Sequence, residues 1–94
     1  MSNFETNNNK GFAMTFANGW TISVQWGIGN YCSAGRISDD YRAPRAVDSW
    51  TSDTAEIAVW DSKGDFYQCG ESDDVLGYLT TDEVAQWIEK VSKF

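Results

Sequence analysis

Four groups of residues carry types and spacings that bear on chemistry. Cys32, set between Tyr31 and Ser33, is a candidate nucleophile. A catalytic thiol needs a base or a positive setting to reach its thiolate. The chain has no histidine, and Arg36 is the only cation near Cys32 in sequence. An inert thiol acting as a small hydrophobe fits better. The pairs Asp39-Asp40 and Asp73-Asp74 could divide acid and base roles, as glycoside hydrolysis requires. Two loop-borne pairs in a chain of 94 residues leave too small a body for a sugar cleft. Gly27-Ile28-Gly29 follows an alternating run, but the dinucleotide fingerprint also needs a glycine where Cys32 stands and a helix opening there. Asp61-Ser62-Lys63-Gly64-Asp65 begins like a calcium loop and then puts Lys63 at a ligand position. No catalytic residue, metal or cofactor is expected.

Charge gives a firmer lead. Fourteen Asp and Glu oppose seven Lys and Arg, for a net charge of −7. Such a field repels phosphate backbones, so direct nucleic-acid binding is disfavoured and a partner protein with a basic surface is favoured. Glu71, Asp73, Asp74 and Asp82 lie close in sequence and are expected to share one face, where they would steer a cationic partner. Helix capping alone accounts for Asp82 and Glu83. A second candidate surface is the segment 27–53, where periodicity disappears. It holds Tyr31, Arg36, Asp39, Asp40 and Arg42 within a connection long enough to suggest function. A module gripping a protein or small ligand through this aromatic and arginine-bearing loop is the alternative reading.

The elements that would position these residues are legible from alternation. Phe12, Met14 and Phe16 fall on one face of a strand, and Trp20, Ile22, Val24 and Trp26 on one face of the next. Asn18-Gly19 between them predicts a two-residue type I′ hairpin. Ala55, Ile57 and Val59 point inward from a third strand with Glu56 outward. Asp61 to Gly64 then makes a turn into a fourth strand over 65–69. Val75 to Leu79 is a candidate edge strand. Thr80 and Glu83 form a capping box at the start of a helix over 81–93, whose apolar stripe is Val84, Trp87, Ile88 and Val91. The polar, Asn-rich residues 1–10 are expected to be loose.

The expected fold is therefore one α+β domain. An antiparallel sheet of four to five strands, built from two hairpins, carries a C-terminal helix on one face. With 41% apolar residues and five tryptophans, the composition supports one core and exceeds what a disordered chain shows. The N-terminus lacks the apolar run of a signal peptide, and no stretch reaches the length of a membrane span. Neither a membrane nor a disulfide scaffold is expected of a chain with two cysteines, and a cytoplasmic monomer or homodimer with reduced thiols is.

Asn18-Gly19-Trp20-x-Ile22-Ser23-Val24-Gln25-Trp26-Gly27 and Gly29-Asn30-Tyr31-Cys32, with the acidic pI near 4.2, resemble the small acidic single-domain proteins encoded by bacteriophages. The resemblance carries no catalytic motif. It implies a stoichiometric inhibitor of host defence of the anti-CRISPR kind, acting in the host cytoplasm by offering nucleic-acid-like charge to a basic groove.

Overall fold

The computed structural model describes residues 2–6, 11–26, 52–70 and 74–94. They form an α+β fold: one antiparallel sheet of six strands and a C-terminal helix. The strands are β1 (Asn3–Thr6), β2 (Gly11–Thr15), β3 (Thr21–Gln25), β4 (Ala55–Trp60), β5 (Phe66–Tyr67) and β6 (Val75–Leu79), followed by α1 (Thr81–Ser92). The order is β1-β2-β3-β4-β5, with β6 also pairing β4. The segment 27–51, and with it most of the expected loop over 27–53, lies outside the described residues.

Register explains the core. Phe12 lies opposite Val24 and Met14 opposite Ile22. Across the next ladder Val24 meets Ile57, and Ile22 meets Val59. Directly opposed residues share a face, so the apolar members of three strands form one surface. Helix α1 lays its stripe on it: Val91 is fully buried, and Val84, Trp87 and Ile88 pack against the cluster half-buried. Ile22, Ile57 and Val59 are likewise at 0% exposure. Each such side chain contributes about 1.5–3 kcal/mol of apolar burial.

The helix begins as its sequence predicts. The Glu83 N–H donates to Thr80 Oγ1 at 3.2 Å, and the Thr80 N–H donates to Glu83 Oε1 at 2.9 Å. Leu79 before the cap is buried and Val84 packs against the same cluster, the arrangement of a hydrophobic staple.

Three features differ from the sequence reading. The Asn-Gly hairpin is not a two-residue type I′ turn. The Phe16 N–H bonds Trp20 O at 2.8 Å and the Gly19 N–H bonds Phe16 O at 2.9 Å, while Gly19 alone of the loop has positive φ, at 91°. This is a three-residue loop closed by a glycine bulge. Ser62-Lys63-Gly64 repeats the geometry, with Gly64 at φ 85° and the corresponding bonds joining Asp61 to Gly64 and Asp65. In the first loop the Asn18 side chain supplies stability: its Oδ1 accepts from the Trp20 N–H, and its Nδ2 donates to Val91 O at the end of α1, both at 2.9 Å.

Second, Asn3–Thr6 is a strand although its composition suggests a loose end. It pairs β2 with Phe4 opposite Met14, so backbone pairing orders residues whose side chains are all exposed. Third, the fourth strand shrinks to Phe66–Tyr67, because β6 occupies the rest of the β4 edge. Between the pairs Ala55–Leu79 and Ile57–Leu76, Gly77 and Tyr78 stand against the single residue Glu56. Tyr78 takes φ 57°, which accommodates the bulge. Leu76 and Leu79 are three apart and would face opposite ways in a regular strand; the bulge turns both to the core side.

Candidate protein-binding surface

The sheet face turned away from α1 is built from the alternate residues of the same strands. Across β3, β4 and the two strands that share its far edge, β5 and β6, run three rows fixed by register: Gln25 with Glu56, Ser23 with Ala58 and Val75, and Thr21 with Trp60 and then Phe66. The middle row is small. The outer rows rise above it as an amide and a carboxylate on one side and two aromatic rings on the other. Between them is a groove of about 260 Å³. Its two walls stand about 13 Å apart along β4, four residue steps of an extended strand. The Trp60 and Phe66 rings meet edge to face, with centroids 5.7 Å apart, and Phe66 remains 53% exposed. Ser23 is buried in the floor, where its Oγ accepts from Gln25 Nε2 at 3.0 Å.

Two expected acids are described here, and the fold separates them. Asp74 is exposed immediately before β6, and Asp82 is exposed in the first turn of α1. Strand β6 alone spans roughly 13 Å between them. Asp74 instead lies near Cys69 and next to Val75, a lining residue of the groove. The remaining expected residues, Glu71, Asp73, Tyr31, Arg36, Asp39, Asp40 and Arg42, lie outside the described residues.

The described acids divide by use. Asp61 Oδ1 accepts from the N–H groups of Lys63 and Asp65 and so shapes its turn. The Thr80 bonds hold the Glu83 carboxyl below its usual pKa, and the Lys93 ammonium at 2.9 Å does the same for Glu89. Among the described residues no lysine stands within ion-pair distance of Glu5, Asp53, Asp65, Asp74 or Asp82, all of them exposed. Of the described lysines, Lys93 is paired with Glu89, and Lys90 sits over the Trp87 ring at 4.6 Å and the Tyr67 ring at 5.8 Å.

Those rings belong to a second aromatic group with a structural task. Trp20, Tyr67, Trp87 and Phe94 contact one another edge-on or tilted, with centroids 4.9 to 6.2 Å apart. They seal the core where the hairpin loops meet the end of α1. At the other end, Val24, Trp26, Ala55, Leu79 and Val84 line an apolar pocket of about 230 Å³. Cys69 is a free, half-buried thiol whose pKa burial raises, with Lys90 opposing.

Sequence reasoning marks Glu56 as outward but misses the groove. Alternation in β4 already implies an outward row of Glu56, Ala58 and Trp60. The pairing that brings Phe66 and Val75 beside it depends on how β5 and β6 share one edge, which no local pattern encodes. No helix of the described residues is long and apolar enough to cross a membrane. Comparison with protein-family models, curated proteins and solved structures finds no match to this chain.

Proposed function

We propose that this chain is a non-enzymatic binding module that docks an acid-bearing surface on a basic, nucleic-acid-handling protein. It would act as an inhibitor of the kind found among the phage proteins it resembles. The observation that carries this reading is the set of exposed carboxylates without a described cation, Asp65, Asp74 and Asp82 among them. Carboxylates used for capping or pairing explain part of the acidity, Asp82 in the first turn of α1 among them; among the described residues Asp65 and Asp74 make no such contact. Like charges left without a counterion disfavour the compact state slightly, and a partner offering Lys and Arg recovers that cost while gaining a faster encounter. The raised pKa of the Cys69 thiol is consistent with a role other than catalysis.

The test is capture from bacterial lysate on the immobilised protein, at low salt and again at about 0.5 M, where the Debye length falls below about 5 Å. A nucleic-acid-handling protein retained at low salt, released at high salt and lost with Asp74→Lys or Asp82→Lys supports the proposal. Retention of such a partner that is indifferent to salt and to both reversals refutes the acidic mode.

A further inference from the structure

We propose that the free edge of β1 is a self-complementary surface on which a second copy of this chain docks, continuing the sheet across a two-fold axis. Strand β1 ends the sheet; among the described residues it pairs β2 alone, antiparallel and without a bulge. All four of its side chains are exposed, Phe4 at 78%. Such an edge offers unpaired N–H and C=O groups to another strand, and proteins commonly guard it with lysine, proline or a bulge. Asn3-Phe4-Glu5-Thr6 has none of these, and its one charge is Glu5. The first hairpin shows which groups are free. The Phe16 N–H bonds Trp20 O, and bonding alternates along an antiparallel ladder, so Phe12 and Met14 bond β3 while Ala13 and Thr15 turn to β1. Their opposites, Glu5 and Asn3, therefore bond β2, and the N–H and C=O of Phe4 and Thr6 point away from the sheet.

Symmetry and charge then fix the register. Two copies related by a two-fold axis normal to the sheet keep like faces together, so one residue of β1 lies opposite itself. Overlap is greatest with Phe4 or Glu5 on the axis. With Glu5 there, two carboxylates oppose and repel. With Phe4 there, the two Phe4 backbones exchange a pair of hydrogen bonds, and their rings meet on the face that carries Met14. On the other face each Glu5 meets Asn3 of the second copy, whose amide can donate to it. Thr6 meets Ser2 of the second copy and continues the ladder. Asp53, Asp61, Asp65 and Asp74, which flank β4, β5 and β6, lie three or more strand spacings, about 14 Å, from this edge. Pairing through β1 thus turns that acidic end of each copy outward.

The contact is small, in the class below about 1,200 Å² that associates weakly, and a Kd of about 100 μM is expected. The test is sedimentation equilibrium of the full chain under reducing conditions, from about 10 μM to about 1 mM, at low salt and at about 0.5 M. The average mass should rise from 10.5 kDa toward twice that value, and more readily at high salt, where the like net charges of −7 are screened. A basic partner responds to salt in the opposite sense, so failure here leaves the proposed function standing. Phe4→Pro should leave the chain monomeric throughout, because it removes an outward N–H and no bond to β2; circular dichroism checks the fold. Phe4→Ala, which leaves every backbone group in place, should weaken the dimer about tenfold. Asn3→Lys should tighten it about five-fold by facing Glu5 of the second copy, and adding Glu5→Lys should reverse that gain although it brings the net charge nearer zero. A chain monomeric at about 1 mM in both salts, or a dimer indifferent to Phe4→Pro, overturns the proposal. So does a monomer whose captured partner is lost with Phe4→Pro, which would assign the edge to that partner.

Discussion

Replacing Asn18 by aspartate tests how the first hairpin loop is fastened to the helix. The Asn18 amide nitrogen donates to Val91 O at 2.9 Å, while its oxygen accepts from the Trp20 N–H. In Asn18→Asp the second bond survives and the first is lost, leaving an anion facing the carbonyl end of α1. Loss of the bond costs about 1 kcal/mol. Placing a negative charge at the negative pole of the helix costs about 0.3–1 kcal/mol more. The total, roughly 1.5–2 kcal/mol at pH 7, lowers Tm by about 6–16 °C in a domain of this size. Asn18→Ala loses both bonds without gaining a charge and should cost about 2 kcal/mol at every pH.

The discriminating signature is pH. Once protonated, the introduced carboxyl again has a donor for Val91 O, so its folded pKa is raised above the usual value of about 3.9. A raised pKa gives a contribution that is fully present below the unfolded value and lost as pH rises through the folded one. Asn18→Asp should therefore approach wild type near pH 3 and separate from it by pH 6, measured as urea midpoints. Ala17→Asp, one residue away and exposed, controls for added charge. An Asn18→Asp deficit that is independent of pH, or no larger at pH 7 than that of Ala17→Asp, would refute the fastening.

Three further outcomes follow from the described contacts. Gly11→Ala places a methyl on the Val24 carbonyl oxygen at φ 154°; it should remove most of the stability, read by circular dichroism, whereas Gly64→Ala, with open space around it, should cost only about 1 kcal/mol. Thr80→Ala should cost about 1 kcal/mol at pH 7; the backbone N–H that does most to lower the Glu83 pKa survives this change, so only the hydroxyl's smaller share of the difference should fade as pH falls through the lowered value, and a variant as stable as wild type at pH 7 would count against the capping box. Cys69 should react with iodoacetamide near pH 7 more slowly than an unfolded thiol, as peptide mapping would show; an equal rate would mean that its burial does not protect it.

The fold is legible where one periodicity has one consequence. Phe12 to Trp26 and Ala55 to Val59 alternate against a single covered face, so spacing alone names their inward residues. Thr80 and Glu83 announce their own bonds. What escapes is set by competition between distant segments. Asn3–Thr6 pairs through its backbone, to which an Asn-rich composition is no guide. Phe66–Tyr67 stops early because Val75–Leu79 takes its place. The Asn18 loop departs from expectation because Asn-Gly suits two turn geometries, and a carbonyl far along the chain, at Val91, helps hold the one adopted. At the candidate surface, Asp74 and Asp82 look adjacent in sequence because a count of residues does not show that a strand lies between them.

Strand β4 is paired along both edges, but unequally. One edge runs with β3 from Glu56 to Trp60 without a break, and the other is divided, Val59 and Trp60 going to β5 and Ala55, Ile57 and Ala58 to β6. The sheet is thus two unequal flaps hinged on one strand. In amide hydrogen exchange, β4 should report global unfolding. The two-residue flap carrying Phe66 should open on its own at much lower free energy. The Phe66 half of the aromatic wall would then be the most labile part of that face, while Trp60 and the floor at Ser23 and Ala58 stay rigid.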